Sequence, residues 1–219
     1  MYFTPRVLRL SLIASLLLGL SPTVSGQTVP AAASGSNIAS RDPWLYKGSD
    51  IVPDAAWRFG TLTNGLRYAV RKNGVPPGQV SVRVRIDAGS LMEQDSELGY
   101  AHLIEHLSFR GSEFVPDGET KRVWQRFGAT FGSDSNAQTT PTQTVYKLDL
   151  PSATEASLDE SLKILAGMVS KPNITQAALN AERPAVLAEQ REQPGPQVRL
   201  SDAMNALFFA GQPFADRSP

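Results

Sequence analysis

The sequence predicts an α+β fold, an antiparallel or mixed β-sheet packed on one side by helices. Three observations predict it. From Gln79 to Asp87, Val80, Val82, Val84 and Ile86 alternate with Ser81, Arg83 and Arg85, the period-two pattern of a strand with one buried face. Thr144 to Leu150 repeats the pattern, with Tyr146, Leu148 and Leu150 set against Val145, Lys147 and Asp149. Ser157 to Val169 instead carries Leu158, Leu162, Leu165 and Val169 at helical spacing, an apolar stripe suited to covering one side of a sheet.

The chain has 219 residues, 41% of them hydrophobic, enough for one large domain or two small ones. Its 21 basic and 21 acidic residues balance, and nothing in the charge points to nucleic acid. There is no cysteine, which removes disulfides, thiolate metal sites and cysteine nucleophiles together. Residues 1–26 read as a secretory signal: Arg6 and Arg9 precede an apolar run from Leu10 to Leu20, and Val24-Ser25-Gly26 suits signal peptidase. The run is too short to cross a bilayer comfortably, so no stable membrane span is expected once it is removed. A mitochondrial presequence is the competing reading, because no acid precedes Asp42, but such presequences are amphipathic and this segment is apolar all round. Residues 27–43, rich in Ala, Ser, Gly, Thr and Pro, read as a flexible leader, and the folded domain is expected over residues 44–219.

Trp57 to Leu62 and Leu66 to Lys72 are β-type runs joined by Thr63-Asn64-Gly65, whose Asn-Gly suits a tight hairpin turn. Asp87-Ala88-Gly89-Ser90 ends the strand that follows. An acidic loop, Glu93 to Glu97, then precedes a helix expected from Leu98 or Gly99 to about Arg110, and acids there complement the positive end of a helix. Glu119 to Phe127 reads as a short helix and Gly128 to Ala137 as a Gly-rich, polar strand suited to a sheet edge, where an extended peptide could pair with it. Thr154 is placed to cap the helix that follows. A further helix runs from about Thr175 to Gln193, and Gly195-Pro196 breaks the chain before Val198 to Phe209. That last segment sets Leu200, Met204, Leu207 and Phe208 on one side, a stripe expected to lie in the core.

Both histidines of the chain lie in one stretch, Gly99-Tyr-Ala-His-Leu-Ile-Glu-His106. His102 and His106 stand four apart, so a helix turns both imidazoles to one face, and Glu105 lies nearly on that face. Two neutral imidazoles at this spacing can take two of the three protein positions of a catalytic zinc, and the glutamate can accept a proton from water in the fourth. Two histidines on a helix face are also often just a solvated pair, so a third ligand has to be found. Without cysteine it must be nitrogen or oxygen. The helix from Thr175 offers Glu182 and Glu189, two turns apart on one face, although a surface glutamate on an amphipathic helix is the plain alternative for Glu189. Pro184 between them removes one hydrogen bond and is expected to kink the helix or start a new segment, which leaves their relative phase open.

The segments Gly-Tyr-Ala-His-Leu-Ile-Glu-His-Leu-Ser-Phe-Arg-Gly and Ala-Glu-Arg-Pro-Ala-Val-Leu-Ala-Glu resemble the two metal-site segments of the pitrilysin, insulinase and mitochondrial processing peptidase family. The resemblance also takes in the Thr-Asn-Gly-Leu-Arg hairpin, the Ala-Gly-Ser before the motif, Ser135-Asn136-Ala137 and Thr144-Val145-Tyr146, and so runs from about Trp57 to the end. It implies the metallohydrolase domain of the pitrilysin type, with Zn2+ held by His102, His106 and Glu189, Glu105 as general base, and Glu182 supporting the site from behind the ligands. It further implies a zinc endopeptidase acting on peptides or small unfolded proteins, with peptide substrate lying along the edge near Ser135, Asn136 and Ala137. Family members close two halves around the substrate, and the distant half lends an arginine and a tyrosine. This chain stops at Pro219, so it reads as the first domain of a longer protein, weak or inactive alone, with the second half in the same chain or in a partner subunit. An exported bacterial form, in the periplasm, is expected. The alternative is a non-catalytic substrate-binding or partner subunit, against which the retention of all four metal-site residues argues.

Overall fold

The computed structural model describes residues 44, 46–47, 49–192 and 195–217, so the expected signal and leader lie outside the described residues. The chain divides into two compact units, Met1–Ala55 and Ala56–Pro219. In the first, a turn brings the Lys47 amide to the Trp44 carbonyl at 2.9 Å, and the Trp44 and Tyr46 ring centroids stand 6.3 Å apart.

The second unit opens with β1 (Trp57–Thr61) and β2 (Arg67–Arg71), an antiparallel pair with Trp57 opposite Arg71 and Thr61 opposite Arg67. The hairpin turn is one residue longer than Asn-Gly alone would set. The Leu62 amide donates to the Leu66 carbonyl at 2.8 Å, and the loop between them is closed by Gly65 at φ 87°, a left-handed position that a side chain would strain.

A separate three-stranded antiparallel sheet carries the core, in the order β3 (Val80–Ile86), β5 (Thr144–Leu150), β4 (Ser135–Thr139). Around it in the chain come α1 (Tyr100–Ser108), α2 (Glu119–Arg126), α3 (Glu155–Ser170), α4 (Gln176–Glu192) and α5 (Pro196–Phe208). The central strand shows the expected alternation: Tyr146, Leu148 and Leu150 are buried and Val145, Lys147 and Asp149 less so. The buried face joins Val123 and Trp124 of α2 and Ile164, Leu165 and Met168 of α3 in one apolar cluster, each such side chain contributing about 1.5–3 kcal/mol through burial. Thr154 caps α3 as expected, its hydroxyl accepting from the Ser157 amide at 3.1 Å.

The opposite face of the sheet is polar. Arg83 meets Asp149 at 2.7 Å, Ser81 donates a further hydrogen bond to that carboxylate, and Lys147 Nζ lies 3.2 Å from it. Burial alone would raise the Asp149 pKa, but the hydrogen bonds from Arg83, Ser81 and Lys147 outweigh it and hold the group at about 2.

Three expectations are corrected. The strand expected from Gly128 to Ala137 begins only at Ser135, because Gly128 (φ 85°) and Gly132 (φ 96°) take left-handed turns and the Asp134 carboxylate accepts from the Thr130 amide at 2.8 Å. Of the two outcomes expected at Pro184, the new segment does not occur: the helix runs through it from Gln176 to Glu192. The stripe of α5 is not core, since Leu200, Met204, Leu207 and Phe208 are all exposed. Helical spacing identifies which residues share a face, whereas burial needs a neighbouring element to cover that face.

Candidate metal centre

The helix that carries both histidines is fixed at its first turn. Gly99, at φ 87°, turns the chain into α1, and the Glu93 carboxylate accepts from the amides of Gly99 (2.9 Å) and Ala101 (2.7 Å). Those amides have no partner within the helix, and a carboxylate there also meets the positive end of the helix dipole. The expectation for the acidic loop thus narrows to Glu93.

Helix α4 packs beside α1 and brings its glutamates to the imidazoles. The His102 and His106 rings stand 4.9 Å apart at 73° to each other. Glu189 Oε2 lies 3.4 Å from His102 Nε2 and 3.4 Å from His106 Nε2. A tetrahedral zinc with bonds near 2.1 Å sets neighbouring ligand atoms about 3.4 Å apart, so this nitrogen and oxygen set fits the ion. One potential ligand atom from each of His102, His106 and Glu189 lies within 4.8 Å of the other two. Glu182 sits behind that group, its Oε2 3.5 Å from Nδ1 of His106. Both glutamates therefore face α1, and Pro184 has not thrown them out of phase.

Glu182 is anchored in turn by residues that the motif does not announce. Arg110 Nη1 donates to Glu182 Oε1 at 3.4 Å and Nη2 donates to Asp117 Oδ2 at 2.6 Å. The hydrogen bond that Arg110 donates to Asp117 raises the Arg110 pKa, Glu182 adds to that, and burial opposes it. Glu105, 7% exposed, meets the edge strand of the sheet, where the Thr139 hydroxyl donates to its Oε2 at 2.6 Å. Below it the Tyr146 hydroxyl donates to Ser108 Oγ at 3.1 Å, and burial pushes the Tyr146 phenol above its ordinary pKa.

A cavity of about 630 Å³ opens over this cluster, walled by α1, α4 and the edge strand β4. Asn136, Ala137, Gln138 and Thr139 line it, whereas Ser135 does not: its side chain is buried at 1% exposure. The backbone agrees. Asp149 N donates to Asp134 O at 2.7 Å and Thr140 N to Gln143 O at 2.8 Å, so by antiparallel alternation the backbone groups of Ser135, Ala137 and Thr139 point to the outer edge. Those of Ser135 are taken by Gly132 N (2.8 Å) and Thr130 O (3.1 Å), and the Ala137 amide donates to Asn136 Oδ1 at 3.0 Å, which leaves the Ala137 carbonyl and the Thr139 backbone groups on the outer edge. Lys121 and Phe131 close the far wall, with Lys121 Nζ 3.6 Å from the Phe131 ring centroid.

Sequence reasoning missed Arg110, Asp117 and Lys121 as parts of the site. Arg110 stands next to the motif, which could have flagged it. Asp117 and Lys121 reach the cluster only through the turn before α2 and through α2 itself, and no local pattern marks them.

A family model described as "Insulinase (Peptidase family M16)" matches residues 68–216. A protein of Haemophilus influenzae named probable zinc protease PqqL is 32% identical over 184 residues, 84% of this chain and 20% of that protein. The crystal structure of the periplasmic protease PqqL from Escherichia coli superposes with a TM-score of 0.73 at 31% identity, over 77% of this chain and 19% of that one. A probable mitochondrial-processing peptidase subunit beta of Arabidopsis thaliana is 32% identical over 157 residues, 72% of this chain and 28% of the relative. The chain spans about a fifth of the length of the two zinc-protease relatives just described.

Proposed function

The chain belongs to the insulinase family of peptidases, M16, and on that premise we propose that it is a zinc-dependent endopeptidase domain acting on peptides or small unfolded proteins. The observation that carries the reading is that Glu189 Oε2 lies 3.4 Å from both His102 Nε2 and His106 Nε2, with the buried Glu105 carboxylate on the histidine helix and a strand edge beside them. Zinc held by that set would supply Lewis acidity, making water acidic near neutral pH and polarising a carbonyl.

The chain's own residues do the rest. Glu182 faces Nδ1 of His106, which favours the tautomer with the proton on Nδ1 and leaves the Nε2 lone pair for the metal. Arg110 holds Glu182 in that position. Thr139 occupies Oε2 of Glu105, so Oε1 is the oxygen that takes the proton from water as its oxygen attacks the scissile carbonyl carbon. When the carbon–nitrogen bond breaks, Glu105 returns that proton to the leaving amine. The peptide lies as an added strand on Ala137 to Thr139, held by backbone hydrogen bonds whatever its sequence.

Activity needs the second half of the enzyme, in the same chain or in a partner subunit, and the fraction of each relative that this chain covers supports that arrangement. Export to the periplasm is the localisation we infer, from the apolar N-terminal segment and from the periplasmic description of the Escherichia coli relative. No helix among the described residues is long and apolar enough to cross a membrane.

Glu105→Gln tests the assignment in the chain combined with its second half. The variant is expected to keep its zinc and lose peptide hydrolysis. Full activity in Glu105→Gln would remove Glu105 as the base.

A further inference from the structure

We propose that Lys121 makes this cavity selective for peptides that carry an acidic side chain beside the bond to be cut. The inference rests on the peptidase reading and adds a substrate class to it.

The charges around the cavity are unequally matched. Arg110 is committed to Asp117 and Glu182, both carboxylates within hydrogen-bonding distance of its guanidinium. Lys121 has no such match. Its ammonium lies against two aromatic rings, 3.6 Å from the centroid of Phe131 and 5.8 Å from that of Phe109, and among the described residues it forms no ion pair. Rings attract a cation through their faces but accept no strong hydrogen bonds, so the three donors of the ammonium lack an anionic acceptor. Burial weighs on this group, lowering its pKa, while Glu182 acts in the opposite direction and Arg110 in the same one. Lys121, Glu182 and His106 line the same cavity.

A half-buried cation with aromatic neighbours and no counter-ion favours a carboxylate brought by a ligand. The walls suit the rest of such a side chain: Phe109 and Phe131, whose rings meet edge to face at 5.7 Å, would flank the methylenes of a glutamate while its carboxylate reached Lys121. A lysine or arginine in the same place would meet like charge. The backbone edge from Ala137 to Thr139 borders the same cavity and would hold the peptide while one of its side chains turned toward Lys121.

The test uses the zinc-loaded chain and a set of fluorescent decapeptides of neutral sequence in which Glu, Gln or Lys is walked through every position, with binding read by anisotropy. At one position Glu is expected to bind about tenfold tighter than Gln, the scale of a hydrogen bond to a charged group. K121M should erase that difference, K121R should retain it and K121E should turn the preference to Lys, all with unchanged zinc content. Equal binding of the Glu and Gln peptides at every position of the native chain would overturn the inference and leave the peptidase reading standing. So would a K121M chain that keeps the preference, or one that loses zinc affinity with the preference intact, which would make Lys121 a support for Glu182 only. If no peptide binds the zinc-loaded chain, this inference is overturned, while the peptidase reading, which places the opposite wall in the second half, keeps its own test in Glu105→Gln.

Discussion

Glu105 and His106 are neighbours in sequence, yet their side chains are held by opposite walls. Glu105 answers to the sheet through Thr139, and His106 to α4 through Glu182. Two substitutions separate these supports. Thr139→Val removes the donor to Glu105 and should lower peptide hydrolysis by the two-half enzyme about tenfold, with zinc content unchanged. Arg110→Met frees Glu182 and should weaken zinc binding by about 10–100-fold, the usual cost of losing a partner behind a metal ligand. Competition with a chelator of known affinity measures the second effect. The face shared by His102 and His106 was legible because i and i+4 on a helix suffice to define it, and Glu189 became legible through resemblance to a known segment. Asp117 and Lys121 were not legible as parts of the site, nor was the hydrogen bond from Thr139 to Glu105, since each arrives from another element.

At the scale of elements, strands β3 and β5 could be read from periodicity because each has one face toward the core and one wet one. The stripe read for α3 holds only in part: Leu165 is buried and Leu158 and Val169 half-buried, but Leu162 is exposed and Ile164 and Met168 fill the core. The same signal was silent on cover. Leu200, Met204, Leu207 and Phe208 of α5 repeat correctly and remain exposed. Glycine decided the start of β4: Gly128 and Gly132 bend the chain where composition alone allowed a strand. Pro184 shows the converse, a local helix breaker tolerated within a helix packed beside α1. The core should respond as a single cluster, so Leu148→Ala at the fully buried centre of β5 is expected to cost about 2–5 kcal/mol in denaturant unfolding. On the outer face, Asp149 titrates at about 2 in the folded chain, below its ordinary 3.8. Its contribution to stability is therefore complete above about pH 4 and is lost as the pH falls through the folded value. Urea midpoints of the native chain and Asp149→Asn should differ most near neutral pH and converge as the pH approaches 2.

For the whole molecule, the α+β architecture and the family agree with the sequence reading, and the sheet is more divided than expected: β1 and β2 form their own antiparallel pair apart from the three-stranded sheet. The domain presents two histidines and a glutamate that could hold a metal, the buried Glu105 and a strand edge on one wall of an open cavity, and the proposed reading assigns the opposite wall to the second half. Adding that half should raise peptide hydrolysis well above that of the chain alone. The central claim concerns the metal, and its most direct measurement is zinc content by native mass spectrometry. The native chain is expected to hold about one zinc, and His102→Ala, His106→Ala and Glu189→Gln each to lose it with the fold intact by circular dichroism. A folded native chain that takes up no zinc, or a Glu189→Gln chain that binds it as tightly as the native one, would contradict the assignment.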